Sequence, residues 1–161
     1  MMIWGLQFFL GLMVANAGEW FMHRYILHHL GKQPDSYWAY HWQEHHYVAR
    51  QLDMLDPGYQ KWPRLWNTQA KEWLTLFGIL LLNAPFFWWA NGYACAIYLS
   101  IIIYYIVHRQ AHLSRCWAKT YLPWHYEHHL FDSNANWCVT FPLFDYLMKT
   151  RRKLSQDLNV D

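Results

Sequence analysis

Charge is what this chain has least of. Asp, Glu, Lys and Arg make up 15% of its 161 residues, against about 25% in ordinary globular proteins. Their balance is only +2 at pH 7. So small an excess, with no basic run interleaved with a nucleic-acid motif, argues against a nucleic-acid-binding protein. Cysteine is also scarce. Cys95, Cys116 and Cys138 have neither an even count nor paired spacing, which argues against a disulfide scaffold or a cysteine-based zinc knot. No stretch reads as a hinge between folded units, so residues 1–161 are expected to form a single domain.

Hydrophobic residues are plentiful, at 55%. The mean hydropathy of -0.15 hides this, because 12 Trp, 12 Tyr and 11 His score as polar although aromatic rings sit well at a bilayer interface. Residues 1–21 contain one ionisable side chain, Glu19, and reach the roughly 20 residues needed to cross a membrane as a helix. A cleaved signal peptide is the rival reading, but the stretch has neither a basic start nor a clear small-residue cleavage site. Residues 73–107 carry no charge. They are too many for one span and suit two short ones, with the turn expected at Asn91-Gly92 and Pro85 as a kink inside a span. All 13 Lys and Arg fall within residues 24–71 or 109–153, which predicts that both polar segments face the cytoplasm. The expected fold is therefore an all-α integral membrane protein, with about three transmembrane helices plus a cytoplasmic helical cap. Residues 143–154, LFDYLMKTRRKL, read either as an interfacial basic helix or as a solvated terminus.

Histidine is concentrated in two banks. His23, His28, His29, His41, His45 and His46 form the first, and His108, His112, His125, His128 and His129 the second. The uncharged stretch separates them, so both banks are expected where spans meet the cytoplasm. Residues three or four apart share a helix face. His108 and His112 are such a pair; His125 has neighbours at both spacings in His128 and His129; His41, His45 and His46 repeat the plan. His23 and His28 are five apart, so on a regular α-helix they would aim at different metals, or one would sit on a frayed end. Imidazole near lipid costs free energy unless paired, and ten imidazoles at helix-neighbour spacing predict a two-metal site. Imidazole suits iron, zinc, copper and nickel alike. Ten ligands for two ions exceed the three per ion that catalytic zinc needs, which favours iron. Zinc can substitute in purified protein, since it binds nitrogen more tightly than ferrous iron.

These stretches resemble the fatty acid hydroxylase superfamily, which includes sterol desaturase-like enzymes. The likeness rests on Glu19-Trp20-Phe21-Met22-His23-Arg24 running to His28, on His41-x3-His45-His46, His108-x3-His112 and His125-x2-His128-His129, and on Asn136-Trp137-Cys138-Val139-Thr140-Phe141-Pro142-Leu143-Phe144-Asp145. It covers residues 19–150. The resemblance implies a membrane-bound di-iron oxidoreductase whose ligands would be His23, His28, His41, His45, His46, His108, His112, His125, His128 and His129, using O2 to hydroxylate or desaturate a fatty acyl chain or sterol-like lipid. It also implies a location in a bacterial inner membrane or the endoplasmic reticulum. The sequence departs from the family's usual four spans, and its second cluster has three intervening residues where two are common. No fused cytochrome b5 segment, flavin motif or iron–sulfur cysteine set is present, so a separate cytochrome b5-like or ferredoxin-type donor would supply electrons. His29 fits no motif position. Glu19 is expected either to orient His23 or to reach interfacial water. Glu44, Glu127, Asp132 and Asp145 are expected at the solvated surface. The competing function is a histidine-rich membrane metal transporter, or a metal-binding protein without oxidase activity. A transporter should carry polar ligands near mid-membrane, whereas the spans hold mainly Asn16, Glu19 and Asn83.

Overall fold

The computed structural model describes residues 2–63 and 66–153. These residues form helices and turns, with no strand among them. Three helices make the frame: α1, Met2–Phe21; α3, Thr68–Asn83; and α5, Asn91–Leu113. Shorter elements collect at one end of that frame. They are two π-helical segments, Met22–Leu30 and Tyr40–His45, then α2, His46–Gln51, a 3-10 turn Pro57–Gln60, α6, Arg115–Tyr121, α7, Pro123–Leu130, and α8, Leu143–Leu147.

Local chemistry sets the boundaries. The Asn67 side chain caps α3 by accepting from Ala70 N at 3.0 Å, Ser114 caps α6 by accepting from Trp117 N at 3.3 Å, and Pro123 opens α7 where a missing N–H costs nothing.

Helices α1 and α5 run parallel in close contact, because glycine lets their backbones approach. A Cβ on Gly11 would stand 2.7 Å from Ala96 Cβ, and one on Gly92 would stand 2.5 Å from the Trp4 carbonyl oxygen. Helix α3 packs antiparallel on α5, with the Tyr98 hydroxyl donating to Leu80 O at 2.8 Å. Both α1 and α3 lean on α5 and make no comparable contact with each other, which leaves a cleft between them.

Among the described residues one helix, α5, is long and apolar enough to cross a membrane. Its 23 residues span about 34 Å at 1.5 Å per residue. The connection before it differs from the expected turn. Helix α3 stops at Asn83, whose side chain donates back to Ile79 O at 2.9 Å. Pro85 then starts α4, Phe86–Trp89, and the chain breaks at Ala90. Pro85 thus lies in the link between helices instead of kinking one, and Asn91-Gly92 begins α5, where Gly92 is needed for packing against α1.

The tail also departs from a continuous basic helix. After α8, Lys149 adopts φ 56 and the chain turns back, with Asn136 N donating to Thr150 O at 3.0 Å. Arg151 points inward to Glu127 at 2.7 Å. Leu154 lies outside the described residues.

Candidate metal centre

The ten histidines named from sequence converge, each 4% exposed or less, whereas His29 is exposed. They form two adjacent clusters. His23, His28, His41 and His46 present ring nitrogens within 4.8 Å of one another, and His128 joins them with Nε2 at 3.1 Å from His28 Nε2. His45, His108, His112 and His129 form the second group within the same limit, joined by His125 with Nε2 at 3.3 Å from His112 Nε2. The clusters touch where the His46 and His129 rings stack at 4.1 Å.

Helix type decides membership. In the π-helical segments an i→i+5 ladder brings residues five apart to neighbouring turns. His23 with His28, and His41 with His46, therefore enter the same cluster. In α5 and α7 the ordinary α-helical spacing pairs His108 with His112 and His125 with His129 in the other. His45 and His128 lie one position before a pair's second member and cross over. The five-residue spacing of His23 and His28, which on an α-helix would separate them, is thus what the local winding requires.

Hydrogen bonds fix the orientation of several rings. His23 Nδ1 donates to Trp137 O at 2.5 Å, His128 Nδ1 to Ala135 O at 2.6 Å and His112 Nδ1 to Met54 O at 2.8 Å. A carbonyl only accepts, so each Nδ1 carries the proton and each Nε2 turns a lone pair inward. Carboxylates do the same elsewhere: His108 Nδ1 stands 2.7 Å from Glu72 Oε1, and His45 Nδ1 stands 3.4 Å from Asp56 Oδ2. Asp56 is itself held by Gly58 N at 2.8 Å and Gln69 Nε2 at 3.1 Å, and Glu72 by the Tyr59 hydroxyl at 2.7 Å.

Inward-facing nitrogens meet only each other. His28 Nε2 lies 3.0 Å from His46 Nε2 and also faces the His128 lone pair, and His41 Nε2 lies 3.1 Å from His23 Nε2. The Nε2 atoms of His45 and His108, and both ring nitrogens of His129, are buried without a hydrogen-bond partner. Buried nitrogens of this kind are costly as they stand. Around an ion bound at about 2.1 Å, adjacent donor nitrogens lie roughly 3.0–3.4 Å apart, so the donor sets fit metal. Burial also disfavours the imidazolium. It holds His23, His41, His46, His125 and His129 well below the usual imidazole range, with neighbouring imidazoles acting in the same direction. Burial lowers His128 to about 4 despite the opposing bond to Ala135. Neutral imidazole is the form that binds metal.

A model of the family described as fatty acid hydroxylase matches residues 8–150. The chain belongs to the fatty acid hydroxylase family. No curated protein and no solved structure matches it. For this fatty acid hydroxylase family member, the geometry also corrects the carboxylate expectations. Glu19 is half-buried and its hydrogen bonds go to the strap that carries Trp137 instead of to His23: it accepts from Val139 N, from Thr140 N at 2.7 Å and from Thr140 Oγ1 at 2.6 Å. Asp145 and Glu127 are buried at 0% and 2% exposure, not solvated. Asp145 accepts from Trp137 N and Cys138 N, both at 2.8 Å, which places the Trp137 carbonyl against His23. Glu44 is exposed and pairs with Lys71 at 3.4 Å, and Asp132 pairs with Arg152 at 2.7 Å. Asp56, Tyr59 and Glu72 carry no motif. Only Glu72 has a sequence signal, as the last charged residue before the uncharged run; Asp56 and Tyr59 have none.

A cavity of about 320 Å³ opens between α1, α3 and α5. His23, Glu72, Tyr40 and Tyr104 stand at its histidine end and Asn83 and Tyr93 at the other, with Gly18, Ile79 and Ile97 between. The Phe86–Trp89 aromatics are not among its walls; Trp88 and Trp89 are 80% and 76% exposed.

Proposed function

We propose that this single-domain chain is an O2-dependent lipid hydroxylase or desaturase. In this reading His23, His28, His41, His46 and His128 hold one iron ion, and His45, His108, His112, His125 and His129 hold the other. The observation that carries the reading is the apolar cavity ending at His23, directly beside the first cluster. Its volume falls in the usual range for small-molecule sites, and from Tyr93 to Tyr104 it extends about 16 Å along α5. That shape suits an extended acyl or isoprenoid chain lying between helices. The bound ions would supply the oxygen chemistry that an unactivated C–H bond requires.

The chain's own residues do the rest. The cleft between α1 and α3 admits a chain sideways from the bilayer. Ile79, Ile97 and Leu76 exclude water from its length, and closure around the chain keeps the reacting carbon beside His23. Asp56, Glu72 and three carbonyl oxygens hold the ring tautomers that point Nε2 inward. Exposed apolar side chains on all three long helices, among them Phe9, Phe77 and Ile102, support a lipid surround. In this reading α1, α3 and α5 make three crossings, with the histidine end cytoplasmic.

The deciding experiment joins metal analysis of purified protein to lipid mass spectrometry of cells with and without it, grown under 18O2. A lipid gaining 18O or a double bond, together with two irons per chain, is expected. Intact lipids, with metal instead carried across liposome membranes, would overturn the enzyme in favour of a transporter.

A further inference from the structure

The two clusters differ in what covers them. The second lies behind Tyr59, Asp56 and Glu72, all buried. The first reaches the surface through Trp42, whose ring lies 5.0 Å from that of His28 and 5.3 Å from that of His46. Trp42 is half-buried, and two cations lie over it. Lys32 Nζ is 4.7 Å and Arg50 Cζ 5.0 Å from its centroid, and both residues are exposed. On the other side of His28 stands Trp137, at 4.9 Å, with the Arg24 guanidinium 5.9 Å from its ring. Among the described residues, none of these three cations pairs with a carboxylate. Arg50 spends its donors on His129 O at 3.2 Å and Ser133 Oγ at 2.8 Å.

We propose that Lys32 and Arg50 form the docking surface for an acidic one-electron carrier protein, and that Trp42 is the contact through which electrons reach the His28–His46 side of the centre. This rests on the oxidase reading above. Hydroxylation of R–H by O2 to R–OH and water consumes two electrons and two protons, so two reduced carriers are oxidised per turnover. Residues 1–161 carry no cytochrome b5 segment, flavin motif or iron–sulfur cysteine set to supply them. Unpaired surface cations steer an acidic partner and fix its register. An indole beside two ligand rings gives that partner a short path inward, whereas among the described residues no indole stands against the second cluster.

Docking is tested on the full chain loaded with zinc, which is redox-silent, so binding is read without turnover. The probes are the soluble haem domain of a cytochrome b5 and a [2Fe-2S] ferredoxin, titrated at low and physiological salt. Lys32→Glu is the cleanest variant, since Arg50 also holds the His129 carbonyl. It should weaken binding by roughly tenfold at low salt, and salt should weaken the wild type likewise. With iron loaded, Trp42→Leu should leave Kd unchanged yet lower the limiting rate of carrier oxidation, with Trp42→Phe restoring part of it. Binding of both carriers indifferent to Lys32→Glu and to salt would overturn the docking surface, as would a Lys32→Glu defect confined to anionic vesicles. An unaltered limiting rate in Trp42→Leu would overturn the electron path. Carrier docking through Lys32 with no lipid product under any condition would instead sink the oxidase reading and leave the surface standing.

Discussion

One oxygen of Glu72 stands 2.7 Å from His108 Nδ1, and the other accepts the Tyr59 hydroxyl at the same distance. The carboxylate thus sets both the tautomer and the aim of His108. Glu72→Ala should lower the affinity of the second cluster by about 10- to 100-fold and leave the first cluster filled. Chelator competition followed by metal counting reads this as one tight and one labile ion; two tight ions would show that Glu72 does not orient the ligand.

The division of the histidines between clusters makes a sharper prediction about stoichiometry. His28→Asn with His128→Asn removes two donors from the first group, and His108→Asn with His125→Asn removes two from the second. Each double variant should retain one ion per chain. Loss of both ions from either variant, or of neither, would contradict the assignment. Thermal unfolding of each variant separates loss of a site from loss of the fold.

Much of this arrangement is legible in the sequence. Clustered imidazoles beside uncharged runs have few uses, so a buried histidine cluster follows from spacing, whereas the separation of His29 from the other ten follows from the family motifs, in which it has no place. The partition into five and five follows from neither, because it depends on π-helical winding, which leaves no periodicity signal beyond the odd interval between His23 and His28. Glu127 and Asp145, expected at the solvated surface, are buried for one reason. A lone carboxylate in a short polar segment looks solvated until the fold shows backbone N–H groups or Arg151 aimed at it. Pro85 was misplaced because α3 ends by side-chain back-bonding at Asn83, which a count of apolar residues does not register.

Acid should act on the metal-free protein before the loaded one. The buried imidazoles titrate below the ordinary value of 6.5 when folded and near it when unfolded. Below that pH the unfolded chain binds more protons, so stability falls as pH falls. His128 alone, lowered to about 4, corresponds to roughly 3 kcal/mol once both states are protonated. The melting temperature of chelator-treated protein should drop steadily from pH 6.5 to 5 and stay level above 7.5. A flat profile across the whole range would mean that the rings are already open to water without metal.

Close packing of α1 on α5 predicts a stability effect remote from the histidines. A methyl at Gly92 would be driven to 2.5 Å from the Trp4 carbonyl oxygen, and backbone cannot swing aside as a side chain can. Gly92→Ala should therefore cost about 1–3 kcal/mol, despite the better helix propensity of alanine. Melting in a fixed detergent measures it. An unchanged or raised melting temperature would show that the two helices do not approach as described.

Gly18 offers the opposite case and tests the cavity itself. It lines the space between α1 and α3, and a Cβ added there meets nothing within 4 Å. Gly18→Leu should be accepted without strain, and replacing glycine inside a helix favours folding by up to about 1 kcal/mol. The new side chain would then project into the room assigned to the lipid. The variant should keep two ions per chain and an equal or higher melting temperature while losing most turnover of long-chain substrate, with shorter chains affected less. Full activity on long chains in a variant so filled would move the lipid elsewhere, because no chain could share that volume with a leucine.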